Sequence, residues 1–345
     1  MCLSLASHRR LCLRSRPFQI LLFMKSDPLV SVVIPAYKVA PFIGETLQSV
    51  FAQTFTDFEV IVINDGSPDT EEFERAIQPY LDRVIYIKQE NRGASAARNA
   101  ALRAAQGEFI AFLDGDDVWL PAYLDEQLKF VEKHRADLAC ADALHFGDSH
   151  LAGVTYMESC IGKGPAEGAV TFWGLIKGDQ SLITSGVLAR RKLILDVGLF
   201  DEGLRDAEDF DLWLRLARRQ ARMVFHRNVL LRYRCHKDNL SGDQFNVLAR
   251  GLRAYDRVEA VFSGSAEESA ALLSVLKSRR AILEFELGKL YLTNGDFARA
   301  CEAFDRANSW QARWKTMFLM WFTRLAPELT QSLYLRRRRL TTSEP

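Results

Sequence analysis

Three carboxylates stand within four positions at residues 114–117, where the segment FIAFLDGDDVWLP passes from apolar residues into D-G-D-D. Carboxylate oxygens are the ligands that Mg²⁺ and Mn²⁺ prefer, and such a cation can hold phosphate oxygens at its remaining coordination positions. Asp114 and Asp116 are therefore candidate metal ligands, with Gly115 allowing a tight turn between them. Asp and Gly are also common turn formers, so this motif alone is equally compatible with an ordinary turn.

A second pair of acids, Glu208 and Asp209, opens the segment EDFDLWLRLARR, whose apolar residues recur with helical spacing. Acids in a first helical turn interact favourably with the helix dipole, so a purely structural role is one interpretation. A carboxylate that faces a metal-bound diphosphate can instead take the proton of an acceptor hydroxyl. Downstream, His236 follows a predicted strand and is either a structural histidine or a further metal ligand.

The elements that must position these acids are four apolar, β-branched segments that alternate with helical patterns. Strands are predicted at 29–37, 58–67, 84–89 and 108–114. This alternation indicates an α/β fold with a mostly parallel sheet. Ligands of such sheets bind beyond the carboxyl ends of the strands, so the sequence places D-G-D-D on a ligand-binding rim.

The same rim is predicted to collect residues from neighbouring strand ends. Pro35 and Tyr37 end the first strand, and Asp65 ends the second. Tyr37 offers a stacking face for a nucleoside and Asp65 a contact to its base or ribose, while packing and helix capping are their structural alternatives. Arg92 and Arg98 flank the next helix start and are either solvated surface charges or ligands of a base or phosphate.

Composition and motif content argue against several classes of protein. The turn after the first strand, PAYKVAPFIGE, has no G-x-G-x-x-G sequence, so a dinucleotide-binding site is not predicted. With 45 Lys and Arg against 44 Asp and Glu, the formal net charge is +1, and no overall field favours nucleic acid as a partner. The six cysteines include no C-x-x-C pair, which fits a reducing cytoplasm better than a disulfide framework.

Six segments together resemble the family 2 inverting glycosyltransferases of the GT-A fold, a Rossmann-like, mostly parallel sheet flanked by helices. In chain order they are VSVVIPAYK, VIVINDGS, NRGASAARNAAL, FIAFLDGDDVW, VGLFDEGLRDAEDFDLWLRLA and YRCHKDNLS. The resemblance covers about residues 30–242. It implies a nucleotide-sugar donor, a divalent cation (Mn²⁺ or Mg²⁺) and inversion at the anomeric carbon.

The resemblance also implies roles for the acids. Asp116 resembles the principal metal ligand of the D-x-D motif, with Asp114 as its partner. Asp209 resembles the catalytic base, and Glu208 is the alternative. His236 matches the Y-R-x-H-x-x-N-x-S element, in which a histidine reaches the metal or the diphosphate.

Donor and acceptor follow from the same resemblance. Asp65 is implied to contact the base or ribose and Tyr37 to line the nucleoside pocket, with UDP as the leading nucleotide. The Q-x-x-R-W motif of processive relatives is missing, so we expect one sugar per encounter. A glycan or lipid-linked acceptor in surface polysaccharide biosynthesis is expected, and residues 143–185 are predicted to be a loop that shapes its pocket. A catalytically silent nucleotide-sugar-binding module and a helical scaffold are the alternative functions.

The ends of the chain differ from its middle. Residues 1–29 are predicted to be an N-terminal extension; the acid-free segment 1–23 is either a targeting peptide or a disordered stretch ahead of a start at Met24. Residues 30–242 form the predicted GT-A domain, and 243–345 a helical region. Within it, 286–307 has tetratricopeptide-like spacing, although helices that simply pack on the catalytic domain explain the pattern equally.

Residues 314–340 combine aromatic residues, Met and Leu with a basic run at Arg336–Arg339. This composition is typical of a helix that lies in an anionic membrane interface, and an ordinary packed helix with a solvated tail is the alternative. We expect a cytoplasmic protein. If the first interpretation holds, it lies peripherally on the inner face of the membrane.

Overall fold

The computed structural model describes residues 27–149, 151–204, 206–236 and 243–342, the last six of them as helical backbone only. Residues 1–26 of the predicted N-terminal extension lie outside the described residues, so the choice between a targeting peptide and a disordered stretch falls there. Residues 237–241 of the Y-R-x-H-x-x-N-x-S element lie outside them too, as do the side chains of residues 337–339.

Strands and helices alternate through the first two thirds of the chain, and helices alone follow. The strands are β1 Val30–Ala36, β2 Phe58–Asp65, β3 Ile85–Gln89, β4 Phe109–Phe112, β5 Val118–Trp119, β6 Leu138–Gly147, β7 Glu167–Val170, β8 Val187–Arg190 and β9 Met223–Cys235. The helices among them are α1 Ile43–Phe51, α2 Thr70–Ile77, α3 Ala94–Ala104, α4 Tyr123–His134, α5 Tyr156–Ile161, α6 Phe172–Lys177, α7 Arg191–Asp196 and α8 Glu208–Arg218. The C-terminal helices are α9 Gln244–Val261, α10 Ala266–Thr293, α11 Phe297–Trp310, α12 Trp314–Leu325 and α13 Pro327–Thr342.

The strands of the described ranges form one sheet in the order β3-β2-β1-β4-β8-β6-β9-β5, with β7 also paired to β9. The first four of these run parallel, and β8 runs antiparallel to both of its neighbours. The chain passes from β1 to β2 on one side, while β4 lies on the other side of β1. A crevice therefore opens beyond the carboxyl ends of β1 and β4, where ligands of open α/β sheets bind.

Apolar, β-branched runs account for the central strands. Val30, Val32, Val33 and Ile34 of β1 are fully buried, as expected of a parallel strand covered on both faces. The one polar residue among them, Ser31, is also buried and donates a hydrogen bond to Glu59 of β2 at 2.6 Å. The four predicted strands thus form, and the α/β prediction with a helical C-terminal region is confirmed.

The segment 143–185 differs from the predicted loop. Its first residues complete β6, and β7 and two short helices, α5 and α6, follow. Each helix begins with a threonine cap: Thr155 accepts from the Glu158 N–H and Thr171 from the Gly174 N–H. A capping hydrogen bond stabilises the first turn of each helix, which matters most in a helix as short as these. The apolar pattern of the segment is interrupted and does not predict either helix.

Helix α9 and the first part of α10 share the core of the sheet, whereas α11 and α12 contribute to a separate small cluster. Tyr255 of α9 and Leu276 of α10 are buried within the same apolar cluster as β1 and β4. Farther along α10, Gly288 allows close contact with α11, since a Cβ there would lie 2.4 Å from the Phe304 ring. Glu284, at the position where a tetratricopeptide has Trp, accepts a hydrogen bond from Arg306 instead. The choice between a repeat array and simple packing for residues 286–307 stays a prediction.

Candidate active site

The D-G-D-D turn follows β4 and is held by a hydrogen-bonding side chain of α1 and by close contact with the end of β1. The Thr46 hydroxyl lies 3.0 Å from the Gly115 carbonyl and 2.8 Å from that of Asp117. A Cβ on Gly115 would lie 2.9 Å from Val39 and 3.3 Å from the Pro35 carbonyl, so the turn lies tightly against the end of β1. Only glycine fits this approach without movement of the turn.

The third acid of the motif, Asp117, is structural. It is fully buried, and its carboxylate accepts from the Ser185 hydroxyl at 2.6 Å and from the Arg234 N–H at 2.9 Å. Ser185 in turn accepts from the Asp114 N–H at 3.1 Å. These bonds tie the turn to the segment before β8 and to β9, while the Asp114 and Asp116 side chains stay partly accessible.

Asp116 and His236 lie together, as the metal-ligand prediction requires. Nε2 of His236 is 3.1 Å from Oδ2 of Asp116, and the His236 ring rests against Phe42 at 4.6 Å between centroids. Burial raises the pKa of Asp116, the Asp114 charge raises it further, and His236 opposes both effects. Two carboxylates that are close together and partly buried repel each other and are poorly solvated. Binding of a cation between them would relieve both costs.

A buried arginine joins the two acidic motifs. Arg98 of α3 is 5% exposed; its Nη2 donates to Asp114 at 2.7 Å and its Nη1 to Glu208 at 2.8 Å. Burial by itself would lower the pKa of this guanidinium, but the Asp114 and Glu208 carboxylates outweigh it and raise the pKa. Arg98 is thus neither a solvated surface charge nor a guanidinium without partners, and its predicted contact with the donor stays a prediction.

The two acids Glu208 and Asp209 are the first residues of α8, and the residue before them has an unusual backbone conformation. Ala207, the residue before Glu208, has φ +56°, in the left-handed region that non-glycine residues rarely adopt. Asp209 accepts a hydrogen bond from the Thr184 hydroxyl at 2.8 Å. Burial and the Asp209 charge raise the pKa of Glu208, and Arg98 opposes the rise. Asp209 is therefore held in place by one hydroxyl, while Glu208 is engaged with Arg98.

The predicted nucleoside contacts occupy the ends of β1 and β2. Tyr37 is 44% exposed and available for stacking. Asp65 is buried, and its carboxylate accepts from the Gln89 side chain and from the N–H groups of Arg92 and Gly93. Asp65 therefore fixes the loop before α3. The Arg92 guanidinium pairs with Glu202 at 2.5 Å, so one of its donors is already engaged.

The structure thus brings the predicted residues to one rim, with Pro35 half-buried in β1 beside the D-G-D-D turn. Sequence reasoning missed Thr184, Ser185 and Arg234, which hold the acids. Arg234 donates to the Asp116 carbonyl at 2.7 Å and to Glu45 at 2.5 Å. None of these three lies in an acidic motif, and the one available signal is that Arg234 is the arginine of the Y-R-x-H-x-x-N-x-S element.

The residues present suit a divalent cation that shares its coordination with a ligand. Within the described ranges, no group of three or more His, Cys, Asp or Glu side chains is arranged to hold a metal by itself. Asp116 and His236 nevertheless offer a hard oxygen and an imidazole nitrogen, with the Asp114 charge nearby. Diphosphate oxygens and water can complete such a coordination sphere.

The chain is similar in sequence to known glycosyltransferases. The family model described as Glycosyl transferase family 2 matches residues 31–163. The uncharacterized glycosyltransferase RT0329 of Rickettsia typhi is 30% identical over 243 residues, 69% of this chain and 71% of that protein. The chain spans about a third of the length of similar proteins from Rickettsia felis and Rickettsia conorii.

A second relative has a more specific name. The UDP-Glc:alpha-D-GlcNAc-diphosphoundecaprenol beta-1,3-glucosyltransferase WfaP of Escherichia coli is 28% identical over 244 residues, 68% of this chain and 91% of that protein.

Solved structures share the fold. TarS 1–349 of S. aureus, in complex with UDP-GlcNAc, matches with a TM-score of 0.59 and 18% identity, over 90% of this chain and 92% of that one. The mannosyltransferase PcManGT of Pyrobaculum calidifontis, in complex with GDP-Man and Mn²⁺, matches with a TM-score of 0.58 and 18% identity, over 93% and 89%. The prediction of a GT-A fold is confirmed, and the chain belongs to glycosyl transferase family 2.

Proposed function

We propose that this enzyme transfers one sugar from a nucleotide-diphosphate sugar, a UDP-sugar first among them, to a hydroxyl of a glycan or lipid-linked acceptor, with inversion. The observation that carries the proposal is the meeting of two acidic motifs at Arg98, which contacts Asp114 at 2.7 Å and Glu208 at 2.8 Å. A single displacement needs a base on the acceptor side and charge stabilisation on the leaving-group side.

In this proposal Asp209 is the base. Its carboxylate is oriented by the Thr184 hydroxyl and by the Phe210 N–H, and it lies near enough to Arg98 for its charge to raise the pKa of that guanidinium. Glu208 is the alternative base, but its engagement with the Arg98 guanidinium makes it less available for an acceptor proton. A base that is already oriented loses little entropy when the acceptor hydroxyl arrives.

Asp116 and His236 would hold the divalent cation, with Asp114 as a neighbouring charge. When bound, the cation supplies Lewis-acid stabilisation of the diphosphate leaving group. The chain's own part is to fix the two ligands, which it does through Arg234 at the Asp116 carbonyl and Phe42 at the His236 ring. PcManGT was solved with GDP-Man and Mn²⁺, which favours Mn²⁺ as the first ion to test.

Donor and acceptor classes rest on similarity. TarS was solved with UDP-GlcNAc, and WfaP is named for a UDP-glucose donor and a diphosphoundecaprenol-linked acceptor. Both names support a UDP-sugar as the donor for this chain, and the WfaP name supports a lipid-linked acceptor in surface polysaccharide biosynthesis. Pro35, Tyr37 and Asp65 would line the nucleoside side of the pocket, and Arg92 would reach the donor from the loop before α3.

The test is a transfer assay with purified protein, UDP-sugars, and a synthetic polyprenyl-diphosphate-linked sugar, with Mn²⁺ or with a chelator. We expect metal-dependent transfer of one sugar and a product whose anomeric configuration, read by NMR, is opposite to that of the donor. Asp209→Asn should lower transfer by about 100-fold or more. UDP with Mn²⁺ should still raise the melting temperature of this variant.

Asp211→Asn is the matched control, since Asp211 lies on the same helix but pairs with Arg215. It should keep nearly full activity. Retained activity in Asp209→Asn would reject Asp209 as the base. Retention of the donor configuration in the product would reject the inverting mechanism itself.

A further inference from the structure

Exposed apolar residues stand on α12 and on the helix that follows it, α13. They are Trp314, Met317, Phe318, Trp321 and Leu325 of α12 and Leu329 and Leu333 of α13, all more than half exposed. The α12 residues recur at helical spacing and so fall on one side of that helix. We call these seven residues the apolar face.

The opposite side of α12 is already used. Thr316 and Thr323 are buried, and Leu319 and Met320 pack against the small cluster formed by Leu292, Ala300 and Phe304. The helix is thus held to α11 by its inner side while two tryptophans and a phenylalanine point away from the protein. Contiguous exposed apolar residues of this kind mark a surface that contacts a partner or a membrane.

The segment that carries the apolar face is rich in basic residues. Residues 311–342 contain seven basic residues and one acid, although the whole chain carries a net charge of only +1. Lys315 is exposed beside Trp314, and Arg336 follows Leu329 and Leu333 at the spacing that puts all three on one side of α13. Three more arginines follow Arg336 in the sequence.

We propose that the apolar face docks on an anionic lipid surface, with α12 and α13 lying in the plane of the interface. Charge complementarity selects this occupant. A second copy of the chain placed on the same face would bring two copies of this basic segment together, whereas anionic headgroups attract it.

The residue types on the face fit the same occupant. Tryptophan is favoured at the boundary between headgroups and acyl chains, because its ring is apolar and its N–H is polar. Among the described residues, no helix is long and apolar enough to cross a membrane, and the docking proposed here needs no such helix. An amphipathic helix enters only the outer part of one leaflet.

The experiment is flotation of the full chain with vesicles of phosphatidylcholine alone or mixed with phosphatidylglycerol. We expect binding to the mixed vesicles, little binding to the neutral ones, and release by high salt. A triple variant, Trp314→Ser, Phe318→Ser and Trp321→Ser, should weaken binding by about 100-fold or more, because three large apolar side chains no longer enter the interface.

A matched control replaces three exposed apolar residues that lie elsewhere, Leu81→Ser, Val261→Ser and Leu273→Ser. This variant should float like the wild type. Equal loss in the control, or equal flotation with neutral and anionic vesicles, would overturn the proposal. The proposal would also be overturned if the wild type did not bind vesicles but formed a dimer in sedimentation experiments, and if the triple variant no longer formed that dimer.

Fluorescence of the unmodified protein gives a second reading that does not depend on how any variant folds. Anionic vesicles whose acyl chains carry bromine should quench part of the tryptophan emission, because Trp314 and Trp321 enter the acyl boundary. Quenching no greater than that seen with vesicles lacking phosphatidylglycerol would overturn the proposal. Neither assay uses a sugar donor, so its result is independent of the proposed transfer reaction.

Discussion

At the scale of single residues, the Arg98 guanidinium neutralises two carboxylates, one largely buried and one partly accessible. Its partners, Asp114 and Glu208, come from the turn after β4 and from the start of α8. The Nε of Arg98 has no hydrogen-bond partner among the described residues and is buried, so the hydrogen bonds found for this side chain are made by its Nη groups. Loss of this residue would leave two carboxylates facing each other in a largely buried space.

We expect Arg98→Met to lower the free energy of unfolding by about 3 kcal/mol, because it leaves the largely buried Glu208 carboxylate without its partner. Urea unfolding measures the loss. Arg103→Met is the control on the same helix: Arg103 pairs with Glu202 at the surface, so its loss should cost about 0.5 kcal/mol or less. Equal stability of the two variants would show that Asp114 and Glu208 tolerate the absence of a guanidinium.

Thr184 is a positioning residue for Asp209. Thr184→Val keeps the shape of the side chain and removes the hydroxyl that donates to Asp209, so kcat should fall about tenfold while the KM for the donor stays unchanged. Thr184→Ser should restore most of kcat. Steady-state kinetics separates the two constants, and a serine variant as slow as the valine variant would contradict the positioning role.

The acids themselves were identifiable from the sequence, but the residues that hold them were not. Asp116 and Asp209 stand in recognisable motifs. Thr184 and Ser185 lie in a stretch without a motif, and they reach acids that are 25 and 68 positions away. Arg98 lies among alanines in NRGASAARNAAL, and the local sequence pattern does not predict a buried ion pair there.

At the scale of elements, β9 and α4 meet at a buried histidine. His226 of β9 contacts Gln127 of α4 through Nε2 at 3.1 Å, and its Nδ1 is buried with no hydrogen-bond partner in the described part of the chain. Burial lowers the pKa of His226 from 6.5 to about 4. The folded protein therefore keeps this histidine neutral over a range in which the unfolded chain binds a proton.

This contact predicts an acid-sensitive stability. As the pH falls from about 7 to about 4, the unfolded chain protonates first, so the free energy of unfolding should drop by up to about 3 kcal/mol from this residue alone. His226→Gln keeps a donor for Gln127 and does not titrate. Its stability should fall less steeply between pH 7 and pH 5 in thermal melts, and a slope equal to that of the wild type would exclude His226 as a cause.

Strand prediction succeeded where both faces of a strand are covered, since β1, β2 and β4 read as continuous apolar runs. The sequence did not predict the antiparallel strand β8. It also did not predict the short helices α5 and α6. β8 has only four residues, and its neighbours β4 and β6 are distant in the sequence. Direction and pairing of such a strand depend on tertiary contacts and leave no periodic signal.

At the scale of the whole molecule, ligand binding should appear as added stability. UDP with Mn²⁺, at about 100 times its dissociation constant, should stabilise the protein by about 2.7 kcal/mol and raise its melting temperature. UDP without metal should do much less, and Asp116→Ala should lose the difference. A thermal-shift screen of nucleoside diphosphates measures all three.

Asp125→Ala is the matched control for that screen, because Asp125 is an exposed acid of α4 that pairs with Lys129. It should respond like the wild type. Stabilisation of Asp116→Ala by UDP and Mn²⁺ to the full extent would remove Asp116 from the metal site. A larger response to GDP than to UDP would instead correct the proposed donor class.

The meeting of two distant motifs also sets the order in which the enzyme becomes complete. Glu208 follows Arg98 by 110 positions, so the ribosome delivers it roughly 5 to 20 s later at about 5–20 residues per second. Until then the parallel strands can pair and Arg98 can meet Asp114, but the proposed base has not yet been synthesised. His236 is synthesised later still, so the proposed metal site and the proposed base are not both complete until translation has passed residue 236, and a nascent chain holds both only within the last third of its synthesis.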